Sequence, residues 1–360
     1  MKATPDFNSI LDKCIEVQAS DIFVRPGSVL RARVGLEITP AGDYVFSEKD
    51  VEKIVFDLID GPRAERLKQH RSLDFAMNYG DRWRFRVAIF FQRYALSMVI
   101  RKIDLKCLSF GELNMPAETL EKFCREKQGF ILLTGITGSG KSTTIASMIN
   151  FINKNLKRHV LTIEEPIEFT FESDKSVINQ REIGSDVHSY SDALTQFTLH
   201  SPDIIYIGNI RDHTTCQAAL TAAETGALVL STMHTIDAMT TIERIVNFFP
   251  SQQHDLVFNQ LSSLLKGVIS LRLVPKIDTS GLIPAYEVMT LSAGISAIIR
   301  EKKVWEIPKY LAEGAVHGMK SFNQCLFDLV ISKKISAQTA LEYSNNKEDL
   351  AVQLRRKEII

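Results

Sequence analysis

The chain has 360 residues, with 43 lysines plus arginines against 43 aspartates plus glutamates, so its formal net charge is zero. That balance excludes a protein that coats nucleic acid through bulk charge, and the length suggests about two domains. Apolar residues at 45% exclude a disordered chain, and five scattered cysteines with no CxxC pair exclude a disulfide scaffold or zinc ribbon and fit a reducing cytosol.

The first hundred residues read as a small α+β unit. Phe7, Ile10, Leu11, Cys14 and Ile15 recur on one helical face. Strand-like runs follow at 21–26 and 29–36. Ser47 is a good N-cap for a second helix, whose apolar face is Val51, Ile54, Val55, Leu58 and Ile59 and which Gly61-Pro62 stops. A hairpin is expected at 82–103, where Trp83, Phe85, Val87, Ile89 and Phe91 alternate with Arg82, Arg84 and Arg86. Those arginines then share one sheet face. Residues 101–116 lose apolar periodicity and read as a linker, giving domains at 1–100 and 117–360. Beyond it the pattern is βαβ: apolar runs at 130–135, 159–165, 203–210 and 227–233 imply a mostly parallel sheet wrapped by helices. From about 251 the chain reads as mainly helical. No run of about 18 apolar residues occurs, and the opening MKATPDFNSI has no apolar signal-peptide core, so a cytoplasmic protein is expected.

GITGSGKS at 135–142 fits the phosphate-loop pattern G-x-x-x-x-G-K-[ST] in full, after an apolar strand and before a helix-forming run. Gly135, Gly138 and Gly140 let the backbone wrap a phosphate without Cβ clashes. The loop amides and the helix N-terminus then face the anion. Lys141 supplies positive charge to the β- and γ-phosphates of ATP, and Ser142 a hydroxyl ligand for Mg²⁺. Thr137, Ser139 and Thr143 complete the loop.

Glu164 and Glu165 end the next strand, at the carboxyl edge where open α/β sheets bind ligands. Either could orient water or support the metal. The strand at 203–210 stands where a P-loop ATPase keeps an acid for Mg²⁺, yet its exit reads Gly208-Asn209. An amide cannot serve as a base. Asp203 begins the strand, at the wrong end, and Asp212 comes too late. His234 closes the run ALVLSTM at another strand's carboxyl end, suited to a γ-phosphate contact.

GITGSGKSTT, TIEEPIEF (162–169), IGNIRD (207–212) and AAETGALVLSTMHT (222–235) resemble, in order, the Walker A, Asp-box, Walker B and His-box segments of the type II/IV secretion ATPases. Within that superfamily the chain resembles the pilus retraction ATPases PilT and PilU. ASDIFVRPG (19–27), RFRVAIFFQR (84–93), RLVPK (272–276) and ISAIIREKK (295–303) extend the resemblance over nearly the whole length. The stretch NFFP and the ending SMVIR lean towards PilU.

The resemblance implies an N-terminal PAS-like α+β domain and a C-terminal RecA-like domain with a helical extension. It implies a homo-hexamer binding ATP and Mg²⁺ between the N-terminal domain of one subunit and the C-terminal domain of the next. Arg86 and Arg101 would reach the phosphates, with Glu164 as general base. The function implied is pilus retraction in twitching motility, on the cytoplasmic side of the inner membrane against the pilus platform protein, with a paralogous retraction ATPase as a further partner.

Departures accompany the likeness. Asn209 replaces the family's glutamate, Ala227 a histidine, and His200-Ser201 an arginine and an aspartate, three polar positions counted as near the nucleotide; Glu165 replaces an aspartate. Two readings follow: an active hexameric motor, or an ATP-binding accessory subunit that hydrolyses slowly. A DNA-acting ATPase is weakened by the balanced charge and the lack of an aromatic-plus-basic platform, so no nucleic-acid partner is expected.

Overall fold

The computed structural model describes residues 5–35, 37–197, 199–278 and 281–360. The chain divides into two units, Met1–Lys106 with Pro166–Thr170, and Cys107–Glu165 with Phe171–Ile360. Among the described residues no helix is long and apolar enough to cross a membrane.

The first unit runs α1 (Phe7–Glu16), β1 (Asp21–Val24), β2 (Val29–Val34), β3 (Glu37–Val45), α2 (Glu48–Leu58), α3 (Gly61–His70), β4 (Ser72–Tyr79), β5 (Trp83–Gln92) and β6 (Ala95–Asp104). Of the expected strand at 29–36, Leu36 lies outside the described residues. Ser47 and Asp50 form a reciprocal capping box on α2. Gly61-Pro62 ends that helix but also opens α3, because Asp60 caps it and proline is tolerated in a first turn. The strands make one antiparallel sheet in the order β3-β2-β1-β6-β5-β4. Ile22, Phe85, Val87 and Ile100 point to one face and share a core with Ile10, Leu11, Val51 and Val55. The expected linker at 101–116 starts inside β6: residues 101–104 stay paired in the sheet because Arg101 meets both Asp21 and Arg86 in register.

The second unit runs α4 (Ala117–Arg125), β7 (Gly129–Thr134), α5 (Lys141–Asn155), β8 (His159–Glu164), β9 (Val177–Glu182), α6 (Tyr190–Phe197), β10 (Ile204–Ile207), α7 (His213–Glu224), β11 (Leu228–Met233), α8 (Ala238–Val246), α9 (His254–Leu264), β12 (Leu265–Pro275) and β13 (Leu282–Thr290). Five helices follow, α10 (Ala293–Arg300), α11 (Ile307–Glu313), α12 (Phe322–Ile331), α13 (Ala337–Tyr343) and α14 (Lys347–Arg355). The sheet order is β13-β12-β7-β11-β10-β8-β9, parallel except for the β12–β13 pair. Period-2 alternation splits each central strand between two cores. Phe130 and Leu132 join Ile163, Ile207 and Ile242 on one side; Ile131 and Leu133 join Ile145, Ile149 and Tyr206 on the other. Burial on both faces explains the unbroken apolar runs.

The expectation of a mainly helical chain after 251 is corrected by the β12–β13 hairpin. Its eleven- and nine-residue strands read KGVISLRLVP and LIPAYEVM in their apolar stretches; the buried run 267–271 of β12 carries no alternation to separate it from buried helix, and β13 alternates only over 282–286, in a run of mixed apolar residues.

Candidate active site

The phosphate loop sits between β7 and α5. Gly135 (φ 141°), Gly138 (φ 79°) and Gly140 (φ 97°) all occupy left-handed or strained space open to glycine. A Cβ on Gly135 would lie 2.5 Å from both the Leu271 carbonyl and Ser139 Oγ, so the first glycine cannot be replaced without moving backbone. Gly140 is the N-cap of α5 and no side chain caps that helix, which leaves its first amides for an anion. Lys141 is only 8% exposed; its Nζ donates to the Gly135 and Ile136 carbonyls at 2.7 and 2.9 Å. Ser139 Oγ is buried without a hydrogen-bond partner. Thr137 and Gly138 are exposed, and Ser142 and Thr143 half-buried at the mouth of the helix. An orphaned hydroxyl, an uncapped helix start, a cradle that a Cβ would fill and a buried ammonium together fit a nucleotide polyphosphate with its divalent cation.

Glu164 closes β8 and is 7% exposed. Its Oε1 accepts the Thr162 hydroxyl at 2.7 Å and Gln180 Nε2 at 3.3 Å. Neither donor was anticipated from sequence, because the Thr162–Gln180 pairing is set by β8–β9 register. Glu165 is exposed and pairs with Arg211 Nη1 at 3.4 Å.

Asn209 follows β10 and is 8% exposed, and its Oδ1 is buried with no hydrogen-bond partner. Thr232 Oγ1 donates to the Gly208 carbonyl at 2.6 Å, and the Gly208 amide to the Ile163 carbonyl at 2.8 Å. A Cβ on Gly208 would lie 3.2 Å from the Ile163 carbonyl, a tight contact, and 3.4 Å from Glu164 Cα and from Tyr190 Oη. Asp203 sits at the opposite sheet edge, accepting the His159 amide at 2.8 Å. Asp212 caps α7 through the Thr215 amide.

His234 follows β11. Burial, then the charges of Lys141 and Arg211, hold its imidazole below the ordinary 6.5, so it is neutral at neutral pH.

Two departures counted near the nucleotide are corrected. Ala227 is 6% exposed at the amino end of β11, and His200 and Ser201 precede β10 at the same edge. A six-residue strand separates that edge from His234, a span of roughly 20 Å. Of the three, Asn209 alone belongs to the carboxyl edge.

In the first unit, Arg86 and Arg101 are directly opposed across β5 and β6. Arg101 Nε donates to Asp21 at 2.8 Å, and Arg86 Nη2 to Asp74 at 3.3 Å. Like charges directly opposite weaken a sheet, and here each arginine is offset by its own carboxylate, Asp74 for Arg86 and Asp21 for Arg101.

A glycine-framed phosphate loop on a parallel sheet, with a buried acid at the sheet's carboxyl edge, is the architecture of a P-loop ATPase with a RecA-like core. Residues 3–326 match the family of Type II/IV secretion system proteins, and the chain belongs to that family. The chain is 36% identical over 344 residues to the type IV pilus retractation ATPase PilT of Pseudomonas aeruginosa, covering 96% of this chain and 99% of that one. It is 31% identical over 350 residues to the type IV pilus ATPase PilU of the same organism, covering 97% and 91%. The crystal structure of the pilus retraction motor PilT with bound ADP superposes with a TM-score of 0.87 at 37% identity, covering 97% of this chain and 99% of that one. The chain is accordingly an ATP-binding ATPase.

Proposed function

We propose that this chain is a retraction ATPase of a type IV pilus machine. It works as a homo-hexameric ring, cytoplasmic and peripheral to the inner membrane, engaging the pilus platform protein and driving twitching motility. The names of its Pseudomonas relatives support the reading. The observation that carries it is the complete phosphate loop together with a buried, hydrogen-bonded Glu164 at the same sheet edge.

Lys141 exchanges its two carbonyl acceptors for β- and γ-phosphate oxygens, and the loop amides of Gly138 through Thr143 close around them. Ser142 would hold Mg²⁺ through its hydroxyl, and the ion would supply positive charge against the phosphates. Glu164 takes the proton of the attacking water. His234 donates to the γ-phosphate. Asn209 Oδ1, an acceptor with no internal donor, would accept a hydrogen bond from water in the site. Glu165 holds Arg211 beside the site. Arg86 and Arg101 act on the nucleotide of a neighbouring subunit, exchanging Asp74 and Asp21 for polyphosphate oxygens.

Asn209 favours a second reading: an ATP-binding subunit that turns over slowly and serves a paralogous retraction ATPase. Losing a carboxylate at the metal costs orders of magnitude in rate when nothing replaces it. Measuring ATP affinity and turnover side by side, with and without such a paralogue, separates the two. A motor turns over alone on the order of 1 s⁻¹ or faster. An accessory subunit binds ATP tightly and works only in the mixture. Salt-sensitive DNA binding would contradict both.

A further inference from the structure

The segment Pro166–Thr170 belongs with the first unit, while the chain on either side of it, through Glu165 and from Phe171, belongs with the second. Both flanks meet at one side chain. Gln180 accepts the Phe171 amide on Oε1 at 2.9 Å and donates from Nε2 to Glu164 Oε1 at 3.3 Å. The amide orientation is forced. Reversed, it would set an NH₂ against an N–H and a carbonyl against a carboxylate, losing both bonds. Within the first unit, Arg84 is 9% exposed, and its Nε donates to the Ile167 carbonyl at 2.8 Å while Nη1 donates to Asn78 at 2.6 Å.

We propose that Gln180 is a positioning residue for Glu164, and that through Phe171 it makes the carboxylate's orientation depend on the segment that Arg84 holds. The inference rests on the reading of Glu164 as the base. Two donors on a single oxygen, Thr162 and Gln180, restrain the carboxylate's rotation. A shift at Phe171 moves the Gln180 amide and removes one of those donors. The change is then felt at the base and not at the phosphate loop. Misplacing a reacting group by about 1 Å is worth on the order of a hundredfold in rate.

The test uses the full chain and three variants, Gln180→Met, Thr162→Val and Arg84→Gln, with turnover, affinity for a fluorescent ATP analogue and thermal midpoint measured for each. Gln180→Met keeps the side-chain length and removes both hydrogen bonds. It is expected to lower kcat at least about tenfold with nucleotide affinity unchanged within about twofold. Thr162→Val strips the same oxygen of its other donor, so it gives the same split and carries the test if Gln180→Met does not fold. Arg84→Gln lowers kcat as well, and the Arg84→Gln/Gln180→Met double variant falls no further than Gln180→Met alone within about twofold. A kcat within about twofold of the natural chain in Gln180→Met and Thr162→Val, or a loss confined to affinity, overturns the positioning role. Independent, multiplying losses in the double variant overturn the coupling. Glu164→Gln tells the two failures apart. If it leaves turnover intact, the base reading falls and the inference with it. If it abolishes turnover while Gln180→Met is neutral, only the inference falls.

Discussion

Glu287 offers a quantitative check on how the His-box loop is held. It lies on β13 across from Ser270, which in turn lies across from Thr134, the last residue of the phosphate-loop strand. Glu287 is 6% exposed, and its Oε1 accepts the amide of Ala238, the first residue of α8 and four positions after His234. Burial pushes its carboxyl from the ordinary 4.5 up to about 7, with the Asp237 charge adding and the Ala238 amide and Arg272 opposing. Because the folded-state value is raised, the stability this group contributes is fully present below about pH 4.5 and is lost as pH climbs through about 7. The gap is worth about 3 kcal/mol, of which about 2–3 kcal/mol falls between about pH 5 and about pH 8. Glu287→Gln keeps a neutral acceptor for the Ala238 amide and cannot ionise. Urea unfolding of both proteins across that range, followed by circular dichroism, isolates the group, since all other titrations cancel in the difference. The variant is expected to gain about 2–3 kcal/mol on the natural chain as pH rises. A difference flat within about 0.5 kcal/mol, or one of opposite slope, would refute a buried, neutral Glu287.

Lys141→Ala removes the main charge contact with the phosphates and is expected to abolish tight ATP binding; affinity unchanged within about threefold in a fluorescent-nucleotide titration would sink the phosphate-loop assignment. Arg86→Ala and Arg101→Ala are each expected to reduce turnover, and mixing either with Lys141→Ala protein is expected to restore activity in mixed rings, because a subunit lacking the arginine can still lend its intact loop. No restoration over a titration of mixing ratios would count against action across a subunit boundary. Asn209→Glu is expected to raise turnover about tenfold, or about 1.4 kcal/mol, by supplying the carboxylate that the amide lacks; an unchanged rate would mean the amide is no defect.

The phosphate loop was legible because its glycines, lysine and serine are contiguous, and each has a local physical reason to be there. The parallel core was legible for the same reason, its strands being short apolar runs with helices between. What escaped was set by pairing at a distance. Gln180 reaches Glu164 only through the β8–β9 register, and no pattern near Gln180 announces it. The β12–β13 hairpin escaped because the middle of β12, buried on both faces, loses the alternation that identifies exposed strands, and β13 shows it only over 282–286. Ala227 and His200-Ser201 stand beside the nucleotide motifs in the chain yet lie at the far sheet edge, because chain proximity to a motif says nothing about which end of a strand a residue occupies. Asn209 was recognised as a departure, yet that its Oδ1 is buried without a donor emerged only from packing.

The central claim is that ATP bound at Gly135–Ser142 is hydrolysed with Glu164 as the base. Its most direct test is steady-state ATP turnover of the natural chain beside Glu164→Gln, with ATP-analogue affinity measured on the same two samples. Turnover in the natural chain, lost by at least about a hundredfold in Glu164→Gln while affinity stays within about threefold, is the expected result. Equal turnover in the two proteins would contradict it.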